Sequence, residues 1–188
     1  MVDLARRAAE AGVDIFQLRE KNLTARALFE LAALCAEAVR GGTTLLLVND
    51  RADVARAAGC DGVHLTTRSL EPAVVRRAFG PDFVIGVSTH SPAEASAARD
   101  GGADFALFGP IFDTPSKRAY GPPLGPGALG EAARALAPFP VVVLGGLTES
   151  NARAAFAAGA AGVAAIRLFT EAADLAAVVR RVRGLAGR

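Results

Sequence analysis

The chain has 188 residues, 52% hydrophobic and 21% charged, which is enough for one sizeable core and too few for two ordinary domains. Basic and acidic residues nearly cancel, leaving a net charge of +2, and aromatics make up 6% with no Trp. That balance excludes a basic tract gripping nucleic acid and argues against a base-stacking platform. Apolar runs stop well short of the roughly 20 residues of a membrane span, and the N-terminal MVDLARRAAEAGVD lacks the basic-then-apolar layout of a secretion signal. The expectation is a single cytoplasmic domain over 1–188 with a small ligand and neither nucleic acid nor membrane as partner; the oligomeric state stays open. Cys35 and Cys60 have neither disulfide-framework nor metal-ligand spacing and read as free thiols.

In chain order, a helical pattern over 2–11 precedes short β-type runs at 14–18, 44–48, 62–65, 83–87, 104–108, 141–144 and 162–166. Most are unbroken apolar runs, the mark of parallel strands buried on both faces. Ala/Arg/Glu-rich helical patterns fall between most of them, at 25–40, 70–79, 92–100, 129–136, 149–157 and 172–185. The fold class is therefore α/β. A quasi-repeat, AGVDIF, AGCDGV, GGADFA and AGAAGV, each time ends a helix on Gly and launches a strand. Polar residues stand at the C-terminal end of nearly every run, which favours a closed barrel, where all ends share one mouth, over an open sheet with a single crevice. The prediction is a (βα)8 TIM-type barrel lacking its first β-strand, since nothing strand-like precedes Val2.

Rare residue types mark candidate chemistry. Only Lys21 and Lys117 are Lys, against 19 Arg, and Gln17 is the sole Gln; a position that keeps Lys against such a habit needs a compact ammonium rather than a planar fork. QLREK (17–21) puts Gln17, Arg19 and Lys21 on one strand face, where they can hold an anion. The competing reading is a solvated strand end with a surface ion pair. In VNDRAD (48–53), Asn49 can donate to phosphate oxygens and Asp50 is a hard oxygen ligand suited to Mg²⁺ shared with a phosphate, the competitor being an Asx turn capping the next helix. His64, inside the apolar GVHL, reads as a hydrogen-bonded core residue, and Ser88 in VSTHS can bond a ligand.

The 110–126 stretch, PIFDTPSKRAYGPPLGP, is a long loop of the kind that is either a functional lid or disordered, here stiffened by its prolines. Its Thr114, Ser116 and Lys117 have the chemistry of a phosphate clamp without the Walker arrangement. Gly145 and Gly146 in LGGLT, with Ile166 and Arg167 one βα unit later, fit backbone binding of a phosphate beside the last two strands.

Taken together, QLREK, ND, DGVHL, GVSTH, FGPIFDTPSK, LGG and AGAAGVAAI in this order resemble thiamine-phosphate synthase and its relatives of the thiazole tautomerase branch, over residues 11 to about 169. The resemblance implies a (βα)8 barrel that joins a hydroxymethylpyrimidine diphosphate to a thiazole phosphate with Mg²⁺, a thiamine-phosphate diphosphorylase-type transferase releasing pyrophosphate. It implies that Gln17, Arg19, Lys21 and Asn49 hold the pyrimidine diphosphate and that Asp50 holds Mg²⁺. Ser88 and Lys117 meet the pyrophosphate, and Thr114, Ser116, Gly146, Ile166 and Arg167 surround the thiazole phosphate; Lys21, Lys117 and Ser88 are the catalytic candidates. In the family the C–O bond breaks first, so catalysis is electrostatic, without a side-chain nucleophile.

Three departures stand out. The segment GVHLTTRSL carries Arg68 and Ser69 where the family has its second magnesium Asp. Arg167 replaces a serine, and the first strand is missing. The TTRS and STHSPAEA segments lean toward the tautomerase branch, yet that branch's acid/base histidine is Pro110 here. The alternatives are a thiazole phosphate tautomerase and a non-catalytic barrel that binds thiazole phosphate.

Overall fold

A computed structural model describes residues 1–115, 118 and 121–187. Seven parallel strands form one sheet: β1 (Ile15–Leu18), β2 (Leu45–Asn49), β3 (Gly62–Leu65), β4 (Val84–Thr89), β5 (Phe105–Phe108), β6 (Val141–Leu144) and β7 (Gly162–Ala164). Their order in the sheet is their order in the chain. Ahead of them lies α1 (Val2–Glu10), and between them run α2 (Ala25–Val39), α3 (Ala52–Ala57), α4 (Pro72–Phe79), α5 (Pro92–Asp100), α6 (Gly125–Leu136) and α7 (Glu149–Ala157). After β7 come α8 (Arg167–Thr170) and α9 (Leu175–Leu185). This is the TIM-type (βα) arrangement short of one strand. Among the described residues nothing pairs with the outer edge of β1 or β7; β7 and the first three residues of β1 are half-exposed, where β3 and β5 are buried throughout. No helix of the described residues is long and apolar enough to cross a membrane.

Strand alternation sorts the side chains. Leu18, Leu46, Val48, Val63, Leu65, Ile85 and Val87 pack with α1 to α5 in one buried cluster, and Ala106, Phe108, Val141 and Val143 pack with α5, α6 and α7 in another. The intervening residues, Gln17, Leu47, Asn49, His64, Gly86 and Ser88 among them, therefore face the inside of the curled sheet. α1 and α9 meet over Ala8, Leu175 and Val179 beside Phe16, so the helical layer is continuous across the place where the sheet is open.

The repeated helix-to-strand segments have a definite task. Each Gly takes a left-handed turn, with φ of 76°, 72°, 83° and 98° at Gly12, Gly59, Gly102 and Gly159, releasing the chain from its helix. In the second and third copies the Asp carboxylate then ties down the neighbouring strand: Asp61 accepts from Leu46 N–H at 2.7 Å and Asp104 from Ile85 N–H at 2.6 Å. The Arg76 guanidinium fastens the same end of the sheet. It donates to the carbonyls of Gly80, Pro81, Phe83 and Gly102 and to Asp104, at 2.8–3.0 Å.

The sequence reading misplaced few elements. α6 begins at Gly125 rather than 129, inside the stretch read as loop, and α9 begins at Leu175 rather than 172. β7 stops at Ala164 instead of 166, because Ala164 pairs with Leu144 and the partner strand then turns away through Gly145 and Gly146, both at positive φ. Arg76→Met is expected to destabilise the fold by about 2–4 kcal/mol in urea unfolding, the loss of several hydrogen bonds to backbone carbonyls; a change under 0.5 kcal/mol would mean that water satisfies those carbonyls equally well.

Candidate active site at the C-terminal strand ends

Because all seven strands run the same way, their C-terminal ends form a single rim. Gln17 and Asn49, inward on neighbouring strands, join there: Gln17 Nε2 donates to Asn49 Oδ1 at 3.2 Å. The Asx-turn reading of Asn-Asp is not what forms. α3 has Arg51 at its N-cap without a side-chain capping bond, and the Asn49 amide faces Gln17 instead. Asp50 follows at φ 65°, the one positive φ outside glycine among the described residues, held by its own N–H donating to the His64 carbonyl at 2.9 Å. Its exposed carboxylate takes no hydrogen bond or ion pair from the described residues, since the Arg51 guanidinium turns to Asp53. Arg19 and Lys21 extend past β1 as a solvated strand end, exposed, and the surface ion pair of the alternative reading is not formed among the described residues.

His64 lies 3% exposed on the inner face of β3, and its Nε2 stands 2.8 Å from Ser88 Oγ on β4. Burial, with a smaller contribution from the positive charge of Arg19, pushes its pKa from 6.5 down to about 4, so the imidazole is neutral near pH 7. The expectation of a hydrogen-bonded core histidine is met, with the addition that its partner is a candidate site residue. His90 is exposed, and its N–H donates to Glu94, which together with Ser91 closes the start of α5.

Across the rim, the loop after β5 and the turn after β6 are in contact. Ile111 N–H donates to the Leu144 carbonyl and Phe112 N–H to that of Gly145. Gly146, at φ 64°, lies so close to the Phe112–Asp113 backbone that a Cβ there would overlap the Asp113 carbonyl. Only glycine allows this approach; Thr114, half-buried, follows next in the chain. Asn151, in a capping box with Thr148, donates to the Gly146 carbonyl at 2.9 Å and fixes the turn from behind. The loop is closed at its base by Leu124 N–H on the Pro110 carbonyl and Gly125 N–H on that of Ile111, and the Arg118 guanidinium pairs with Asp113, holding that carboxyl below its usual range. Ser116 and Lys117 lie outside the described residues. Ile166 caps α8 and Arg167 opens it, both exposed, Ile166 by 69%.

The rim thus holds a β1–β2 pair (Gln17, Asn49, with Asp50), a β3–β4 pair (His64, Ser88) and a β5–β6 contact (the Phe112–Asp113 backbone with Gly146), with Ile166 and Arg167 past β7. Two shallow hollows elsewhere, one between α1 and the start of α9 and one beside Pro138 and Ala161 below β6 and β7, include none of these residues. Arg68 and Ser69 bear no carboxylate; the Ser69 hydroxyl is occupied by Thr66, accepting its N–H at 2.8 Å. Among the described residues no three His, Cys, Asp or Glu side chains cluster as a metal site. Neither cysteine supplies a nucleophile, because both are buried, Cys35 with a raised pKa and Cys60 pushed up to about 12.

A family model described as thiamine monophosphate synthase matches residues 1–169. The chain belongs to that family. It is 44% identical to the thiamine-phosphate synthase of Methanoculleus marisnigri over 181 residues, covering 96% of this chain and 85% of the relative. It is also 44% identical over 180 residues to a bifunctional thiamine biosynthesis protein of Symbiobacterium thermophilum, of which it spans 37%. Among solved structures, the thiamine phosphate pyrophosphorylase of Pyrococcus furiosus superposes with a TM-score of 0.87 at 30% identity, covering 99% of this chain and 89% of that one. Membership of the family makes the rim, rather than either hollow, the place to look for its chemistry.

The depressed pKa of His64 has a consequence for stability. The unfolded chain takes up the proton near pH 6.5 and the folded chain only near 4, so folding is disfavoured progressively as pH falls through that window, by about 3 kcal/mol at its lower end. His64→Gln removes this component, which urea midpoints at pH 7 and pH 4 measure as a smaller acid-side loss than in the wild type. An identical loss in both proteins would show that His64 is not the buried neutral base described here.

Proposed function

We propose that this chain joins hydroxymethylpyrimidine diphosphate to a thiazole phosphate, giving thiamine phosphate and pyrophosphate. The observation that carries the reading is the amide pair of Gln17 and Asn49 at the rim, flanked by the exposed cations of Arg19 and Lys21, which have no ion pair among the described residues. Amide donors next to cations suit a polyanion entering from solvent. The family match and the relatives' printed activities support the same conclusion. The His64 ring is buried on Ser88, and the exposed His90 ring lies 4.0 Å from the Glu94 carboxylate at the start of α5, which favours transfer over tautomerisation.

The reaction breaks the bond between the pyrimidine methylene carbon and the diphosphate oxygen, the electron pair leaving with pyrophosphate. The thiazole nitrogen then forms the new C–N bond to that carbon. What the protein must supply is stabilisation of departing negative charge, and in this proposal Lys21 and Lys117 supply it while Gln17, Arg19 and Asn49 orient the diphosphate. Ser88 offers a hydroxyl to the leaving group. Thr114, Ser116, Gly146 and Arg167 hold the thiazole phosphate, and the exposed Ile166 side chain packs on its ring.

Mg²⁺ fits the residues present in one form. The exposed Asp50 carboxylate takes no hydrogen bond or ion pair among the described residues, while the Ser69 hydroxyl is spent on Thr66, so of these two positions only Asp50 offers a carboxylate, where Mg²⁺ takes one or two from protein. A single carboxylate suffices when the diphosphate and water complete the shell. Asp50 would hold the ion, which when bound neutralises charge on the diphosphate. A cytoplasmic location and small phosphorylated substrates as the partners complete the proposal.

Incubation with both phosphorylated precursors and Mg²⁺ is expected to release thiamine phosphate and pyrophosphate in equal amounts, with no product after chelation of the metal. Absence of thiamine phosphate contradicts the transferase reading; product without metal contradicts the role of Asp50. Lys21→Ala and Lys117→Ala are each expected to lower kcat on the order of 100-fold while leaving the unfolding midpoint within a degree or two, because Lys21 is exposed and packs against little. Loss of fold and activity together would show that the lysines are structural.

A further inference from the structure

His64 is drawn into the rim by a gap in its neighbour strand. In the parallel register His64 is the partner of Gly86, and Gly86 that of Phe105. A Cβ on Gly86 would overlap the Phe105 ring and stand 2.8 Å from His64 Nδ1. The two rings fill the space the absent side chain leaves, with centroids 6.1 Å apart. Lying across Gly86, the imidazole reaches Ser88, two residues further along the same face, and its Nε2 meets Oγ at 2.8 Å. Among the described residues, no other side chain bonds Ser88 Oγ, and no acceptor bonds His64 Nδ1.

A neutral imidazole carries one N–H. Placed on Nδ1, it finds no acceptor among the described residues; placed on Nε2, it has Ser88 Oγ at 2.8 Å. We propose that His64 is a positioning residue for Ser88, donating Nε2–H to the serine oxygen so that the single hydroxyl hydrogen of Ser88 is left to point at an anionic oxygen in the mouth. The opposite tautomer would consume that hydrogen on His64 and turn serine lone pairs toward the anion. The role rests on the reading of the rim as a diphosphate site. A serine next to an imidazole also suggests a nucleophile with its base. That arrangement needs a bare Nε2 and a group orienting Nδ1, and the described residues offer no such group.

The two readings put the proton on different nitrogens, and the chain has only two histidines. In protein labelled with ¹⁵N-histidine, long-range ¹H–¹⁵N spectra at pH 7, assigned with His90→Gln, are expected to show His64 protonated on Nε2 and bare on Nδ1. A proton on Nδ1 overturns the proposal. In calorimetry with Mg²⁺ and inorganic pyrophosphate, Ser88→Ala and His64→Leu are each expected to weaken binding about tenfold, and the double variant no further. His64→Gln, whose amide still donates, is expected to recover most of the affinity. Wild-type affinity in a folded His64→Leu protein overturns the proposal, whereas failure of the wild-type protein to bind pyrophosphate contradicts the transferase reading and leaves the imidazole spectrum to decide the tautomer.

Discussion

A parallel strand can be followed by another only after the chain has been carried back along the sheet, and here every return is made by a helix on the outer face. The strands therefore all end on one side, and whatever polar residue follows a strand arrives at the same rim. This directional constraint, more than any individual contact, turns seven short apolar runs scattered through the chain into one site. The apolar outward face of each strand secures it: Leu46, Val48, Val63, Leu65, Ile85 and Val87 are buried against the helices, and the inward positions are thereby released for polar side chains.

The two ends of the sheet divide the work of stability and chemistry. At the N-terminal end, Asp61, Asp104 and Arg76 are consumed by backbone groups of neighbouring segments, and their charge is unavailable to a ligand. At the C-terminal end, Gln17 and Asn49 hold each other, Asp50 and Lys21 have no side-chain partner among the described residues, and the turn after β6 is fixed from behind by Asn151. Glycine serves both purposes. At position 86 its lack of a side chain admits two rings into the interior, and at position 146 it lets two backbone segments touch.

Much of this was legible in the sequence for a physical reason. Strands buried on both faces leave unbroken apolar runs, and β3 and β6 fall where those runs predicted. The pairing of Gln17 with Asn49 was implied only as membership of a common rim; which side chain meets which depends on register, and a one-residue slip would have separated them. α3 and α8, of six and four residues, are too short to display a helical period. The end of β7 was hidden because it is set by the Gly145–Gly146 turn in its partner rather than by its own residues. The bond from His64 to Ser88 was equally invisible, since it passes over a third residue, Gly86, whose contribution is an absence.

The central claim is that residues from separate strands, distant in sequence, serve one ligand-binding mouth. It is tested most directly by following backbone amide resonances while Mg²⁺, pyrophosphate and thiamine phosphate are added together. The account predicts that amides of Gln17, Asn49, Ser88 and Gly146 shift together with a shared saturation point, while those of Asp61, Asp104 and Ala161 at the opposite end stay in place. Shifts confined to the opposite end, or rim amides that remain still at saturating ligand, would contradict it.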